Sequence, residues 1–297
     1  MSNTSQTVVV GVDGSAGSTA AVQWAAKLAA SRTLELKIVH GLQIASLYYG
    51  GGLPGAGAGA LFDAIQAEGE RVLAEAGRLA LSIDENLVVT TEMPNEPPVP
   101  LLIEQSRHAR LVVLGRTGAG GFTEMLVGGT AATVVSHGHC PVAIVRGREA
   151  ATTGPVVVGV DGSSNSDQAI ALAFEEASLR SAPLVALHAW NDVTYEDTHG
   201  TARIVTQPET LKEGEERLLS ERLAGWQEKY PDVVVRRELQ RERPRQALLE
   251  ASKTAQLVVV GSRGWGGFTG MLLGSTSQAL VQHADCPVLV VRPERKG

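Results

Sequence analysis

The stretch Leu257-Val258-Val259-Val260-Gly261-Ser262-Arg263-Gly264 indicates how the second half of this chain folds. Four consecutive apolar residues predict a buried β-strand, and glycines directly after a strand let the backbone turn sharply and leave its amides uncovered. Gly274-Ser275 follows after nine more residues, in a Ser- and Thr-rich segment that can begin a helix. Uncovered N–H groups and the positive end of a helix dipole both favour phosphate, so the pattern predicts an anion-binding turn. Taken alone, the glycines are equally consistent with tight turns and close packing of a helix on a sheet.

A near copy of this stretch lies in the first half of the chain. Leu111-Val112-Val113-Leu114 runs into Gly115-Arg116-Thr117-Gly118, and Gly128-Gly129-Thr130 follows after nine residues. The segment VVGVDGS also occurs twice, beginning at Val9 and at Val157. These repeats predict a duplicated domain, with domain 1 at residues 1–147, a linker at 148–154 and domain 2 at 155–297.

Apolar runs alternate with segments of helical periodicity in both copies. The first copy predicts strands at 7–13, 34–40, 87–92, 111–115 and 142–146, with helices at 18–31, 61–82, 99–108 and 130–137. The second predicts strands at 156–161, 184–190, 233–239, 257–261 and 288–291. Such alternation is typical of right-handed crossovers and a parallel sheet covered by helices on both faces. The predicted fold class is therefore α/β, with two tandem Rossmann-like, doubly wound domains whose ligands bind where the loops after strands one and four meet.

Composition and charge exclude several classes of partner. The 297 residues are 43% hydrophobic and 20% charged, with a formal net charge of -6. A negative chain is a poor match for nucleic acid or an anionic membrane, because phosphate surfaces select clustered Lys and Arg. No run of eighteen apolar residues occurs, and the first fifteen residues lack the pattern of a secretion signal. We therefore expect a cytoplasmic protein.

Two aspartates and two histidines stand at the ends of predicted strands. Asp13 and Asp161 each end strand one, where a carboxylate can accept hydrogen bonds from a ribose or an adenine amino group. The alternative is an Asx turn or a helix N-cap, although nearby serines could cap those helices instead. His40 and His188 end strand two, where packing and contact with an adenine edge are equally compatible with the pattern.

Cysteine and histidine patterns do not predict a metal site. His137-Gly138-His139-Cys140 becomes His283-Ala284-Asp285-Cys286 in the second copy, and neither has a complete ligand set. Cys140 and Cys286 are expected to be buried thiols rather than a disulfide. The glycine loops contain no lysine and do not match GxxxxGK[ST], which argues against rapid phosphoryl transfer.

Both halves resemble the ATP-binding branch of the universal stress protein family. The resemblance rests on GxxG, nine residues and then G[ST] after strand four, together with the Asp that ends strand one. The chain is thus similar to the tandem members common in actinobacteria. The second copy matches fully at Gly261, Gly264, Gly274 and Ser275, whereas the first has Gly129 where the pattern has Ser or Thr.

The resemblance implies a sheet with strand order 3-2-1-4-5, pairing through the fifth strand and one adenine nucleotide per domain. It implies ATP as cofactor, a homodimer, and a regulatory protein partner in stress response and growth control. Together with the pattern, it assigns the nucleotide sites to Gly11, Asp13, His40, Gly115, Arg116, Thr117, Gly118, Ala119, Gly120, Gly121, Gly128, Gly129 and Thr130 in the first copy. In the second copy they are Gly159, Asp161, His188, Gly261, Ser262, Arg263, Gly264, Trp265, Gly266, Gly267, Gly274, Ser275, Thr276 and Ser277.

Three functions remain open at this point. The first is a nucleotide-binding regulator, with the second site tighter because Ser275 can donate a hydroxyl that Gly129 lacks. The second is a slow ATP hydrolase or phosphotransferase that uses Asp13 or Asp161 with Mg²⁺. The third is a structural stress chaperone with vestigial sites. Missing lysine and the absence of an obvious base favour the regulator.

Overall fold

The computed structural model describes residues 6–42, 57–118, 127–146, 153–190, 208–264 and 272–292. Contacts within the chain separate it into two units. The first consists of Met1–Ala150, Val281–His283 and Pro287–Gly297, and the second of Ala151–Leu280 and Ala284–Cys286. Within the described residues, no helix combines the length and the apolar character that crossing a membrane requires.

The first unit is a parallel α/β sheet with one added antiparallel strand. Its elements are β1 (Thr7–Gly11), α1 (Ala16–Ser31), β2 (Glu35–Val39), α2 (Gly57–Ile83), β3 (Val89–Glu92), α3 (Pro98–Gln105), β4 (Leu111–Gly115), α4 (Gly129–His137) and β5 (Val142–Val145). The strands lie in the order β3-β2-β1-β4-β5, and each adjacent pair is parallel.

The second unit repeats this arrangement. Its elements are β6 (Val156–Gly159), α5 (Ser164–Leu179), β7 (Leu184–Trp190), α6 (Pro208–Leu223), α7 (Trp226–Lys229), β8 (Val235–Arg241), α8 (Pro244–Ala251), β9 (Leu257–Gly261) and the first part of α9 (Ser275–His283). The strands lie in the order β8-β7-β6-β9 and pair in parallel. Parallel sheets with crossover helices in both units confirm the predicted α/β fold class.

The last strand of the chain, β10 (Val288–Val291), belongs to the first unit. It pairs antiparallel with β5, placing Val288 opposite Ile144 and Val290 opposite Val142. All four residues of each strand are buried. The predicted pairing of the two fifth strands is thereby confirmed, and it covers an apolar edge that would otherwise be open to aggregation.

Several predicted element boundaries were wrong by a few residues. Strand β1 ends at Gly11 rather than Asp13, because the Asp13 carboxylate accepts from the Ser15 N–H and turns the chain. Strand β8 begins at Val235 rather than Val233, since Val233 N–H still donates to Tyr230 O at 3.2 Å. The helix predicted at 61–82 begins earlier than expected, because α2 starts at Gly57.

Cys140 and Cys286 are buried thiols and form no disulfide, as predicted. Burial raises the pKa of the Cys140 thiol to about 12. The folded state therefore keeps this group protonated throughout the neutral range and up to strongly alkaline pH.

We expect iodoacetamide to modify Cys140 at least about a hundredfold more slowly in the native protein than in the urea-unfolded chain at pH 8. Alkylation requires the thiolate, and an unfolded cysteine ionises near pH 8.5. Mass spectrometry of the peptide containing Cys140, sampled over time, measures both rates. Equal rates in the two states would contradict the assignment of Cys140 to a buried, protonated thiol.

Candidate functional site

A cavity of about 610 Å³ opens at the carboxyl ends of β1 and β4 in the first unit. Its lining brings together eight of the residues predicted from the sequence: Gly11, Asp13, Gly115, Thr117, Gly118, Gly128, Gly129 and Thr130. The volume falls in the range of small-molecule sites, about 300 to 1,000 Å³. Its position is the one where open parallel sheets bind ligands.

The second unit has a matching cavity of about 530 Å³ at the carboxyl ends of β6 and β9. Nine predicted residues line it: Gly159, Asp161, Gly261, Arg263, Gly264, Gly274, Ser275, Thr276 and Ser277. Six other predicted residues, Ala119, Gly120, Gly121, Trp265, Gly266 and Gly267, lie outside the described residues.

One carboxylate oxygen of each strand-end aspartate shapes the turn beneath the cavity. Asp13 Oδ1 accepts from Ser15 N–H at 3.1 Å, and Asp161 Oδ1 accepts from the N–H and hydroxyl of Ser163 at 3.0 and 2.6 Å. The helix N-caps are instead Ser15 and Ser163, and the hydroxyl of each accepts a hydrogen bond from the backbone N–H three residues later. The Asx-turn alternative is therefore correct for one oxygen, while each aspartate still lines its cavity.

The other carboxylate oxygen lies against the fourth residue of the glycine loop. A Cβ placed on Gly118 would stand 2.5 Å from Asp13 Oδ2, and a Cβ on Gly264 would collide with Asp161 Oδ2. Neither glycine is among the positive-φ residues of the described chain. Glycine is required here by the close approach of the carboxylate and not by backbone conformation.

Each glycine loop is closed by a backbone hydrogen bond at the start of the following helix. Gly128 N–H donates to Arg116 O, and Gly274 N–H donates to Ser262 O, both at 2.8 Å. These two glycines are the N-caps of α4 and α9, and neither helix has a side-chain cap. The first-turn N–H groups, which have no partner inside the helix, are thus left for a ligand in the cavity.

Four predicted residues lie outside the cavity lining. The Arg116 side chain is buried and donates to Gln282 O at 3.1 Å, and Ser262, which occupies the same repeat position, is fully buried. His40 Nδ1 bonds Val12 O at 2.8 Å, and His188 bonds Val160 O through Nδ1 at 2.6 Å. The hydrogen bonds of Arg116 and the two histidines join strand ends and loops, which is the packing alternative for the histidines. The buried Ser262 hydroxyl has no hydrogen-bond partner among the described residues.

An apolar wall of each cavity was missed in the sequence. Pro98, Leu101 and Leu102 of α3 line the first cavity, and Pro244 and Leu248 of α8 line the second. The sequence contained a sign of these helices, because each begins with proline and has leucines about one turn later. Only the fold shows that these leucines face the loop glycines rather than the core alone.

The two linings differ in charge and hydroxyl content. Arg263 lines the second cavity where the first has Thr117, and Ser275 stands where the first has Gly129. Thr130 and Thr276 share a repeat position, so Thr130 is not a displaced substitute for Ser275. Both clefts nevertheless combine an apolar wall, a carboxylate and an uncapped helix start, which are features of a nucleotide-sized anion site.

A family model and several known proteins match this chain. The model of the universal stress protein family matches residues 4–146 and 152–292. Universal stress protein Rv2005c of Mycobacterium tuberculosis is 42% identical over 292 residues, covering 96% of each chain. A universal stress protein of Mycolicibacterium smegmatis is 39% identical over 300 residues, covering 96% of this chain and 97% of that one. This chain therefore belongs to the universal stress protein family, with two family domains in tandem.

A solved structure shows the same fold. The crystal structure of a universal stress protein from Archaeoglobus fulgidus gives a TM-score of 0.72 at 19% identity. The match covers 97% of this chain and 99% of that one. The tandem α/β architecture is thus shared over the full length of both chains.

Proposed function

We propose that each domain binds one adenine nucleotide and that nucleotide occupancy makes the protein a stress-response and growth regulator. The observation that carries this proposal is the coincidence, in both units, of a strand-end carboxylate with an uncapped helix start across one cavity. Phosphates would lie on the N–H groups of α4 and α9, which the helix dipole makes favourable.

The apolar side of each cavity suits the base of the nucleotide. In the first unit Val39, Pro98 and Leu101 line the same cavity as Asp13. A planar base fits between such side chains, while the carboxylate accepts from ribose hydroxyls or the adenine amino group. Separate groups suited to the base and to the phosphates favour a nucleotide over a simple anion.

Regulation is favoured over rapid turnover by what the described lining contains. The residues that line the two cavities in the described part of the chain include neither lysine nor histidine. Phosphoryl transfer normally relies on cations around the γ-phosphate and on a group that orients the nucleophile. We propose that the bound nucleotide is instead read by a protein partner of the homodimer in the cytoplasm.

Release of bound nucleotide tests this function. We expect purified protein, denatured and filtered, to release up to two adenine nucleotides per chain, identified by chromatography. After reloading with ATP, less than about one turnover per hour is expected, because the described lining of the two cavities contains neither a lysine nor a histidine. Recovered ADP accumulating with time would identify a hydrolase, whereas protein that neither carries nor takes up nucleotide would contradict the proposal.

A further inference from the structure

The charged residues that line the two cavities are different. In the described lining of the first cavity, Asp13 is the only charged residue. The second cavity has Asp161 at the same position and adds Arg263. The formal charge of the described lining is therefore -1 in the first cavity and zero in the second. The first cavity therefore repels an anionic ligand, whereas the second, in which Arg263 balances Asp161, does not.

Arg263 is a half-buried cation whose side chain has no partner among the described residues. No hydrogen bond or ion pair joins its guanidinium to any residue within the described ranges. Its backbone, in contrast, is fixed, because Asn165 Nδ2 donates to Arg263 O at 3.0 Å. A guanidinium has five N–H donors and suits phosphate oxygens, so donors that no described residue uses point to an anion in the cavity.

Among the described residues that line the first cavity, none is a cation equivalent to Arg263. Thr117 occupies the position of Arg263, and Gly17 replaces Asn165. A Cβ on Gly17 would collide with Thr117 O, so the loop there packs directly on α1. Without a cation, each added phosphate must rely on backbone N–H groups while facing the Asp13 carboxylate.

We infer that the two cavities select different classes of nucleotide, with Arg263 as the residue that determines this specificity. The second cavity prefers nucleoside triphosphates over monophosphates, whereas the first binds nucleotides with little dependence on phosphate number. This inference rests on the proposed nucleotide-binding function. It extends that function by assigning ligands that differ in phosphate number to the two domains. One chain can then respond to both nucleoside triphosphates and nucleoside monophosphates.

Calorimetry with ATP and AMP on nucleotide-free full-length protein tests the inference. Gly118→Val isolates the second site and Gly264→Val isolates the first. In the isolated second site we expect AMP to bind about ten- to hundredfold more weakly than ATP, the range of one charge-assisted contact. When Arg263→Thr is added to the Gly118→Val protein, the difference between ATP and AMP affinity should fall below about threefold, mainly because ATP binds more weakly.

The reciprocal variant is the matched control. Thr117→Arg in the isolated first site should raise its preference for ATP over AMP by about tenfold, and this gain should shrink in 0.5 M salt. Circular dichroism and a melting temperature equal to that of the Gly118→Val protein show that the variant carrying Arg263→Thr is folded. A ratio that is unchanged by Arg263→Thr, with ATP still bound, overturns the inference and leaves nucleotide binding intact. Binding of neither ATP nor AMP by unaltered protein overturns the proposed function itself.

Discussion

Gly264→Val is expected to abolish nucleotide binding in the second cavity, and Gly118→Val should do the same in the first. A Cβ at Gly118 would meet Asp13 Oδ2, and a Cβ at Gly264 would meet Asp161 Oδ2. The Asp161 carboxylate cannot move away freely, because its Oδ1 accepts hydrogen bonds from the N–H and the hydroxyl of Ser163. Valine must therefore push the loop into the space where phosphate would lie. We expect affinity to fall by at least about a hundredfold, measured by calorimetry with ATP.

Both glycines are exposed at the cavity mouth, so the fold should be retained in these variants. Gly214→Val is the matched control, since it makes the same substitution at an exposed helix position where a Cβ meets no atom within 4 Å. Circular dichroism and the melting temperature check folding of all three proteins. Wild-type affinity in a folded Gly264→Val protein would show that phosphate does not use this loop.

Phe174→Ala is expected to destabilise the second unit by about 3 to 5 kcal/mol, the typical cost of removing a buried phenylalanine. Phe174 is 1% exposed, and its ring stacks with those of Trp226 and Tyr230 at centroid distances of 5.7 Å. Deleting the ring removes both aromatic contacts and leaves a cavity beneath α7. The first unit has Ala26 at this repeat position, so the aromatic cluster is specific to the second unit.

Urea unfolding followed by circular dichroism measures this loss. Leu179→Ala is the control on the same helix, because Leu179 is 47% exposed and its truncation should change stability by no more than about 0.5 kcal/mol. Matching unfolding curves for the two variants would mean that the ring cluster contributes little to the second unit. A selective loss for Phe174→Ala supports the packing assigned to α5 and α7.

The fold was predictable because its signals are local. Four strands have the bounds expected from their apolar runs: Leu111–Gly115, Leu184–Trp190, Leu257–Gly261 and Val288–Val291. Each is buried and short, and glycine, proline or charge interrupts the pattern at its ends. Strand β8 was displaced by two residues because it has exposed arginines on an edge, where burial does not select one register.

The site was predictable only in part, because a sequence locates a loop but not the direction of its side chains. Asp13, Gly118, Asp161 and Gly264 were found from motif and repeat, and they line the cavities. His40 and His188 were also predicted as site residues, because strand two of each copy ends at the same edge of the sheet. Their Nδ1 atoms instead bond the carbonyls of the neighbouring strand end, a pairing that depends on the register of β1 with β2 and of β6 with β7.

The sequence by itself determined the duplication, the parallel α/β class and the places where the glycine loops follow strands. These depend on residue type and spacing along the chain, which act over a few neighbours. Tertiary structure alone decided which loop arginine lines a cavity. Arg116 is one residue earlier in its loop than Arg263, and adjacent side chains leave a strand end in opposite directions. Arg116 consequently binds Gln282 O, while Arg263 lines the second cavity without a protein partner in the described chain.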